Sequence, residues 1–141
     1  MAAYRYWRLV VTRWRDAGTD TSSVGHVRVS ELQFVTAGGT VWPQAALTSA
    51  TAPAPYVVTA SANESGFPPY RAFDGVASDS NRWLSGQAIT SAWLQIDMGQ
   101  ALDFVGIRYA PDGAATLNGG YFSVDFEVWA SATGVFAGEH V

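Results

Sequence analysis

The sequence predicts an all-β domain, a sandwich or jelly roll of about six to eight strands. Hydrophobic side chains recur at every second position in several short segments, which is the period of a strand with one buried face. Clusters of glycine, proline, asparagine, aspartate and serine separate these segments, as turns do. No window carries the 3.6-residue period of a long amphipathic helix. The chain has 141 residues, enough for one domain with a hydrophobic core.

The individual strands follow from this alternation. The predicted strands are residues 5–13, 27–35, 56–60, 93–98, 104–109 and 122–129. Their predicted buried faces are Trp7, Leu9 and Val11; Leu94, Ile96 and Met98; Val105, Ile107 and Tyr109; and Phe122, Val124, Phe126 and Val128. The last strand alternates most cleanly, so Phe126 is expected in the core, and its replacement by alanine is expected to cost about 3–5 kcal/mol.

Residues 27–35 change phase partway. Val27 and Val29 share one parity, whereas Leu32 and Phe34 share the other. A one-residue slip inside a strand is what a β-bulge produces, so a bulge is predicted at Ser30-Glu31. It would turn Glu31 inward, toward a group that needs a carboxylate.

Composition and charge exclude several functions. The net charge is −4 and all eight basic residues are arginine, five of them before position 29, which is not the basic stripe of a nucleic-acid-binding domain. The absence of an apolar run of 18 residues argues against membrane insertion, and no signal peptide is visible at the start. The chain has no cysteine, which excludes thiol catalysis, disulfides and cysteine-bound zinc.

Catalytic motifs are missing as well. The sequence holds no nucleophile elbow, no Walker loop and no His-Glu-x-x-His pattern, and its only histidines are His26 and His140. Asp97 and Asp103 invite a two-carboxylate glycosidase interpretation, but no second feature supports it. The protein is therefore predicted not to be an enzyme.

An ordered set of motifs runs from residue 59 to residue 109. The motifs are Ala60-Ser61, Gly66-Phe-Pro-Pro69, Ala72-Phe-Asp-Gly75, Trp83, Trp93-Leu-Gln-Ile-Asp-Met-Gly99 and Val105-Gly-Ile107. In this order they resemble the discoidin, or coagulation factor 5/8 type C, domain family, which includes galactose-binding-like carbohydrate-binding modules. The resemblance implies a galactose-binding-like jelly-roll β-sandwich, with Trp7, Trp83 and Trp93 in or near its core and Asp97 in a structural role at a strand end.

The order of strands departs from that family. Tyr6-Trp-Arg-Leu9 and Val29–Phe34 resemble the family's last two strands but come first in this chain. The sequence is therefore interpreted as one circularly permuted domain, 1–141, with closing strands in 1–36 and a discoidin-like core in 56–131. We expect residues 4–14 and 27–35 to pair with each other in the same sandwich as 122–129. Domains that begin this way are similar to parts of phage tail and fibre proteins.

The loop after Asp74 is rich in oxygen ligands, which a hard cation prefers. In the family that this chain resembles, the matching loop often binds a structural calcium ion. Carried over, the resemblance implies a site formed by Asp74, Val76, Asp79, Asn81 and the distant Glu31. In the alternative interpretation, Asp74 only caps a turn through its own backbone.

Aromatic and polar side chains near the loops are candidates for sugar contacts. Sugar C–H faces stack on aromatic rings, and a binding pocket adds a few convergent polar groups. The rings in or beside predicted loops are Trp14, Trp42, Tyr70, Tyr121 and Trp129. The predicted carbohydrate-binding residues are Trp42, Tyr70, Tyr121, His26, Arg71, Arg82 and Asn118. Each of these could instead serve in packing or in a surface salt bridge.

The function predicted from all this is a non-catalytic, lectin-like module of a phage or phage-like particle that recognises cell-surface glycans in host recognition. Its expected location is a virion or an extracellular surface. The alternative is a structural virion adaptor or decoration domain whose partners are other virion chains or host proteins. A homo-oligomer is compatible with either function, since one scaffold hosts many binding partners.

Overall fold

The computed structural model describes residues 2–16, 19–21, 25–78, 80–87, 89–111 and 122–137. The strands there are β1 (Tyr4–Asp16), β2 (Thr19–Thr21), β3 (Arg28–Val29), β4 (Glu31–Thr36), β5 (Val41–Trp42), β6 (Val57–Ala60), β7 (Trp83–Leu84), β8 (Ala92–Leu102), β9 (Phe104–Ala110) and β10 (Phe122–Ser131). A 3₁₀ helix covers Pro69–Phe73. The all-β prediction is confirmed, and the described strands outnumber the predicted ones because β3, β5 and β7 have two residues each.

The strands form antiparallel sheets of a β-sandwich. The larger sheet runs β10-β1-β8-β6, with β2 also paired to β1; the smaller runs β5-β4-β9; and β3 and β7 form a two-stranded ribbon. One core of buried residues lies between the sheets, and its largest fully buried side chains are Trp7, Trp14, Trp83, Phe34 and Phe73. The predicted inner faces of β1 and β8 are confirmed, since Leu9, Val11, Leu94, Ile96 and Met98 are all at most 1% exposed.

The first two predicted strands lie in different sheets. β1 pairs with β8 and β10, whereas β4 pairs with β5 and β9. The prediction that residues 4–14 pair with 27–35 is therefore wrong, although both segments do contribute to the same core. Within the intervening segment β1 pairs instead with β2, and β3 pairs with β7.

The phase change in residues 27–35 also arises because the chain passes from one sheet to another. Val29 belongs to the ribbon with β7 and Leu32 to the smaller sheet, so the chain changes sheets at Ser30 instead of forming a bulge within one strand. Ser30 is fully buried, and its N–H donates to the carbonyls of Ala110 and Pro111. Glu31 follows as the first residue of β4.

Two residues predicted to be buried lie open at the edges of the sheets. Phe126 pairs with the buried Val11 and shares its inward face, yet it is 43% exposed, and its closest ring partner is Tyr109 with centroids 6.3 Å apart. Val105 is 50% exposed, because a register shift in β9 puts Phe104 into the core in its place. The predicted burial of Phe126 is therefore wrong, and its truncation should cost about 1 kcal/mol or less.

An apolar cleft opens between β9 and β10, where the two sheets diverge. Its volume is about 290 Å³. It is lined by the rings of Trp7, Phe34 and Phe104 and by Val105, Ile107 and Val128. Within the described residues, the side chains of β9 and β10 that line this cleft thus remain accessible.

Several loops leave the sandwich at one end, which we call the loop end and define as residues 25–27, 61–78, 80–82, 85–87 and 89–91. The strand register fixes this placement: Trp14 lies opposite Ser123, Val11 opposite Ala92 and Ala60 opposite Leu94. The ends of β1 and β6 and the starts of β8 and β10 therefore lie together. Trp14 itself is 1% exposed, so it belongs to the core and not to the loop surface.

Candidate functional site

The loop end is shaped by a tight 3₁₀ helix between two turns. Pro68 precedes this helix with extended backbone angles and Pro69 begins it, as the fixed φ of proline favours. Gly66 and Gly75 flank the helix with φ of +82° and +77°, a region that side chains with a Cβ rarely adopt. The Gly-x-Pro-Pro and Asp-Gly pairs of the sequence therefore determine the course of the loops.

Arg71 links the two long loops. Its Nη1 donates to the carbonyl of Gly66 at 2.7 Å and to the carbonyl of Ser80 at 3.4 Å. Because both acceptors are backbone atoms on different loops, Arg71 holds the loops in position. Next to it, the Arg82 guanidinium lies over the Phe67 ring, with Cζ 5.6 Å from the centroid.

Trp83 anchors these loops to the core. The side chain is fully buried, and its Nε1 donates to the carbonyl of Ala62 at 3.0 Å. His26 lies beside it on the adjoining turn, with Nδ1 2.7 Å from the carbonyl oxygen of Ser85 and Nε2 3.2 Å from Nε2 of Gln87. Since a carbonyl can only accept, Nδ1 is the protonated ring nitrogen in this contact.

Glu31 of β4 and Asp74 of the loop end meet at Gly75. Glu31 Oε2 accepts the N–H of Gly75 at 3.1 Å. Asp74 accepts the N–H of Val76 at 3.0 Å through Oδ1 and the amide of Asn81 at 2.7 Å through Oδ2. The Asn81 amide also donates to the Val76 carbonyl at 3.1 Å. The structure thus brings Glu31, Asp74, Val76 and Asn81 together, although Glu31 is more than 40 positions from the others in sequence.

The charged form of Glu31 is disfavoured at this turn. Burial raises the pKa of Glu31 to about 7; the Gly75 N–H opposes this rise and the neighbouring charge of Asp74 adds to it. Two carboxylates with an amide and a backbone carbonyl are a donor set that suits a hard divalent cation. In the described residues no three His, Cys, Asp or Glu side chains group together, so such a cation would need amide and backbone oxygens too.

The other predicted site residues are dispersed. Tyr70 is half-buried against the core, and Trp42 lies on β5, where its ring packs against Tyr56 with centroids 6.4 Å apart. Trp42 is therefore outside the loop end. Asp79, Asn118 and Tyr121 fall outside the described residues.

Two further residues of the loop end were not predicted from the sequence. Phe67 is a half-buried ring under Arg82, and Gln87 is an exposed amide next to His26. An apolar residue inside an otherwise polar turn was the available signal for Phe67. Nothing local distinguishes Gln87, because its position depends on the pairing of β3 with β7.

Asp97, the residue behind the glycosidase interpretation, has a structural role. Its two oxygens accept Nε and Nη2 of Arg5 at 2.7 and 2.8 Å, and Oδ1 also accepts the N–H of Gly99. Burial raises the pKa of Asp97, but Arg5 and the Gly99 N–H outweigh burial and hold it below its ordinary value. A carboxylate tied in this way is poorly placed to transfer a proton to a substrate.

The fold is a galactose-binding-like β-sandwich with several loops gathered at one end. The chain belongs to the F5/8 type C domain family, whose model matches residues 57–137, more than half of the 141 residues. Domains of this family are binding modules, generally non-catalytic, that commonly bind carbohydrates or other ligands. No curated protein matches the sequence. No helix in the described part of the chain is long and apolar enough to cross a membrane.

Proposed function

We propose that this protein is a non-catalytic, lectin-like module that binds cell-surface glycans through its loop end. The observation that carries the proposal is that the Arg82 guanidinium lies over the Phe67 ring at the loop end, where Tyr70 and His26 also lie. Rings supply apolar faces for pyranose C–H groups, and the polar groups between them supply hydrogen bonds to hydroxyls. The engagement of Asp97 with Arg5 supports a module without catalysis.

We also propose that the protein is located on a phage or phage-like particle, or on another extracellular surface. Its strand order is proposed to be circularly permuted. The family match begins at residue 57, whereas β1, at residues 4–16, is flanked by β8 and β10 in the larger sheet. β1 is therefore a central strand that precedes the segment matched by the family model, which supports a permuted chain.

The glycan proposal is tested on a glycan array with the purified protein. We expect binding to a defined set of glycans and, for the Phe67→Ala variant, about a tenfold loss of affinity, because one stacking ring is removed. Phe126→Ala removes a ring that is also partly exposed but lies on β10, and it is the matched control with unchanged affinity. Absence of binding to any glycan, or equal losses in both variants, contradicts the proposal.

The module is also proposed to hold a structural calcium ion through Glu31, Asp74, Asn81 and the Val76 carbonyl. The meeting of two carboxylates at Gly75 supports this, since a divalent cation would relieve their repulsion. Bound there, the ion would cross-link the loop end to β4. Asp79 remains a ligand predicted from the sequence alone.

Calcium is expected to raise the melting temperature. If it binds only the folded chain, the stabilisation is about 2.7 kcal/mol at a hundredfold excess over Kd, and chelator reverses it. Magnesium should substitute poorly because it demands a tighter octahedron. Asp74→Ala should abolish the response and Glu31→Gln weaken it. Asp125→Asn, which removes a carboxylate paired with Arg13, should leave the response intact.

A melting curve that does not change with calcium or chelator would mean that Asp74 only caps its turn. Its contacts with the Val76 N–H and the Asn81 amide suffice for that role.

The alternative function, a virion adaptor or decoration domain that binds virion or host-protein chains or forms a homo-oligomer, is favoured by a different observation. The apolar cleft between β9 and β10 and the exposed Phe126 and Val105 offer a surface suited to protein contacts. The array and the Phe126→Ala variant distinguish the two functions, because loss of assembly without loss of glycan binding supports the adaptor.

A further inference from the structure

β1 contains four arginines, and three of them, Arg5, Arg8 and Arg13, have different partners on the outer face of the larger sheet. Arg5 donates to Asp97 at 2.7 and 2.8 Å, and Arg13 donates to Asp125 at 2.8 and 3.2 Å. Arg8 lies between them in sequence and donates through Nε and Nη2 at 3.1 and 2.6 Å, but its acceptor is the amide oxygen of Gln95. Among the described residues, Arg5 and Arg13 are thus paired with carboxylates, whereas Arg8 is paired with an amide.

The guanidinium of Arg8 is held between two aromatic rings. Its Cζ lies 4.1 Å from the Trp93 centroid and 3.9 Å from the Phe136 centroid. The Trp129 ring continues the row, 6.5 Å from Phe136. All three rings are partly exposed. Stacking on both faces keeps the guanidinium plane in one orientation.

A turn after β10 places Phe136 over Arg8. The buried Ser131 hydroxyl accepts the N–H groups of Thr133 at 3.2 Å and Gly134 at 3.0 Å and donates to the Val135 carbonyl at 3.0 Å. Gly134 has φ of +84°, and a Cβ there would lie 3.3 Å from the Tyr6 ring. The hydrogen bonds of Ser131 and the close contact of Gly134 with Tyr6 therefore fix the turn that places Phe136 over Arg8.

The terminal edge of Arg8 remains available to a ligand. Within the described residues, both hydrogen bonds of its side chain go to the same oxygen of Gln95, and neither uses Nη1. In the same part of the chain no carboxylate is paired with Arg8. Burial lowers the pKa of Arg8, as expected for a partly desolvated charge.

We propose that Arg8, between Trp93 and Phe136, binds the anionic group of an acidic sugar, a uronic acid carboxylate or a sugar sulfate. The free N–H groups at the end of a guanidinium match the spacing of two oxyanion oxygens. The flanking rings provide apolar faces for the sugar ring that bears the anion. This site lies on the sheet face, apart from the loop end, and goes beyond the proposed function.

The test is titration of the protein with trigalacturonate, with a sulfated galactose trimer and with neutral galactotriose, followed by calorimetry and tryptophan fluorescence. Chelator is present throughout, so that calcium at the loop end cannot contribute. We expect at least one acidic trimer to bind about tenfold or more tightly than the neutral one. The stronger acidic ligand identifies the anion. Binding of neither acidic trimer overturns the proposal.

Gln95→Glu is the decisive variant, because it gives Arg8 an internal carboxylate like those of Arg5 and Arg13. It should lower the affinity about tenfold without lowering the melting temperature. Arg13→Gln removes one positive charge from the same strand and should change the affinity less than about twofold. Equal losses in the two variants, or equally tight binding of triglutamate, would show attraction by charge alone and overturn the sugar site. Failure of the glycan array at the loop end leaves this result unaffected.

Discussion

Replacing Trp7 by alanine is expected to lower the free energy of unfolding by about 3–5 kcal/mol. The side chain is 2% exposed and contacts three other rings; the two nearest are Phe104, with centroids 4.9 Å apart, and Phe34 at 5.8 Å, and the third is Tyr4 at 6.0 Å. Its Nε1 donates to the Tyr4 carbonyl at 3.0 Å. Truncation would remove these contacts and extend the apolar cleft into the core. Urea denaturation measures the loss.

Phe126→Ala is the control for this prediction. Phe126 lies on the same inward face of the sheet but is 43% exposed, so its removal should cost about 1 kcal/mol or less. A loss of about 3 kcal/mol in Phe126→Ala would mean that the cleft between β9 and β10 is closed in solution. A small loss in Trp7→Ala would mean that the three rings do not form the centre of the core.

Gly99→Ala is expected to destabilise the protein by about 3 kcal/mol or more, for two separate reasons. Gly99 has φ of +73°, which costs a residue with a Cβ about 1–2 kcal/mol. A Cβ there would also overlap the ring of Pro55, and overpacking adds about 1–3 kcal/mol. Thermal and urea denaturation would both report the change.

Two other glycines separate these contributions. Gly66 has φ of +82°, and in the described part of the chain nothing lies within 4 Å of the position that a Cβ would take. Gly66→Ala should therefore show only the backbone cost of about 1–2 kcal/mol. Gly106 has similar open space among the described residues and no positive φ, so Gly106→Ala should lie within about 0.5 kcal/mol of the parent. If all three variants lose the same stability, contact with Pro55 is not the reason for glycine at position 99.

Local alternation predicted the centre of the sandwich correctly. Trp7, Leu9 and Val11 on β1, and Leu94 and Ile96 on β8, are buried as their parity indicates. β1 lies between two strands and β8 also has neighbours on both sides, so one face of each is necessarily covered by the opposite sheet. For such strands the two-residue period alone is sufficient to predict which side chains are buried.

The sequence also indicated much of the acidic turn. Asp74-Gly75 marks a tight turn by composition alone, and the resemblance to the family connected it with Glu31. The contact between Glu31 and the Gly75 N–H, however, depends on how the chain passes from the ribbon into the smaller sheet at Ser30. That passage looked like a bulge in the sequence, because both produce the same change of parity.

Only the tertiary structure decided which side chains on the edge strands of the sheets are covered. Phe126 carries the pattern of a buried residue, but β10 is an outer strand of its sheet; Val105 carries it too, but the register shift in β9 puts Phe104 into the core in its place. The aromatic enclosure of Arg8 likewise requires a turn that brings Phe136 back over a strand more than a hundred residues earlier. Alternation records which way a side chain points within its own strand. Whether anything covers that side chain depends on contacts between strands distant in sequence, which no local period encodes.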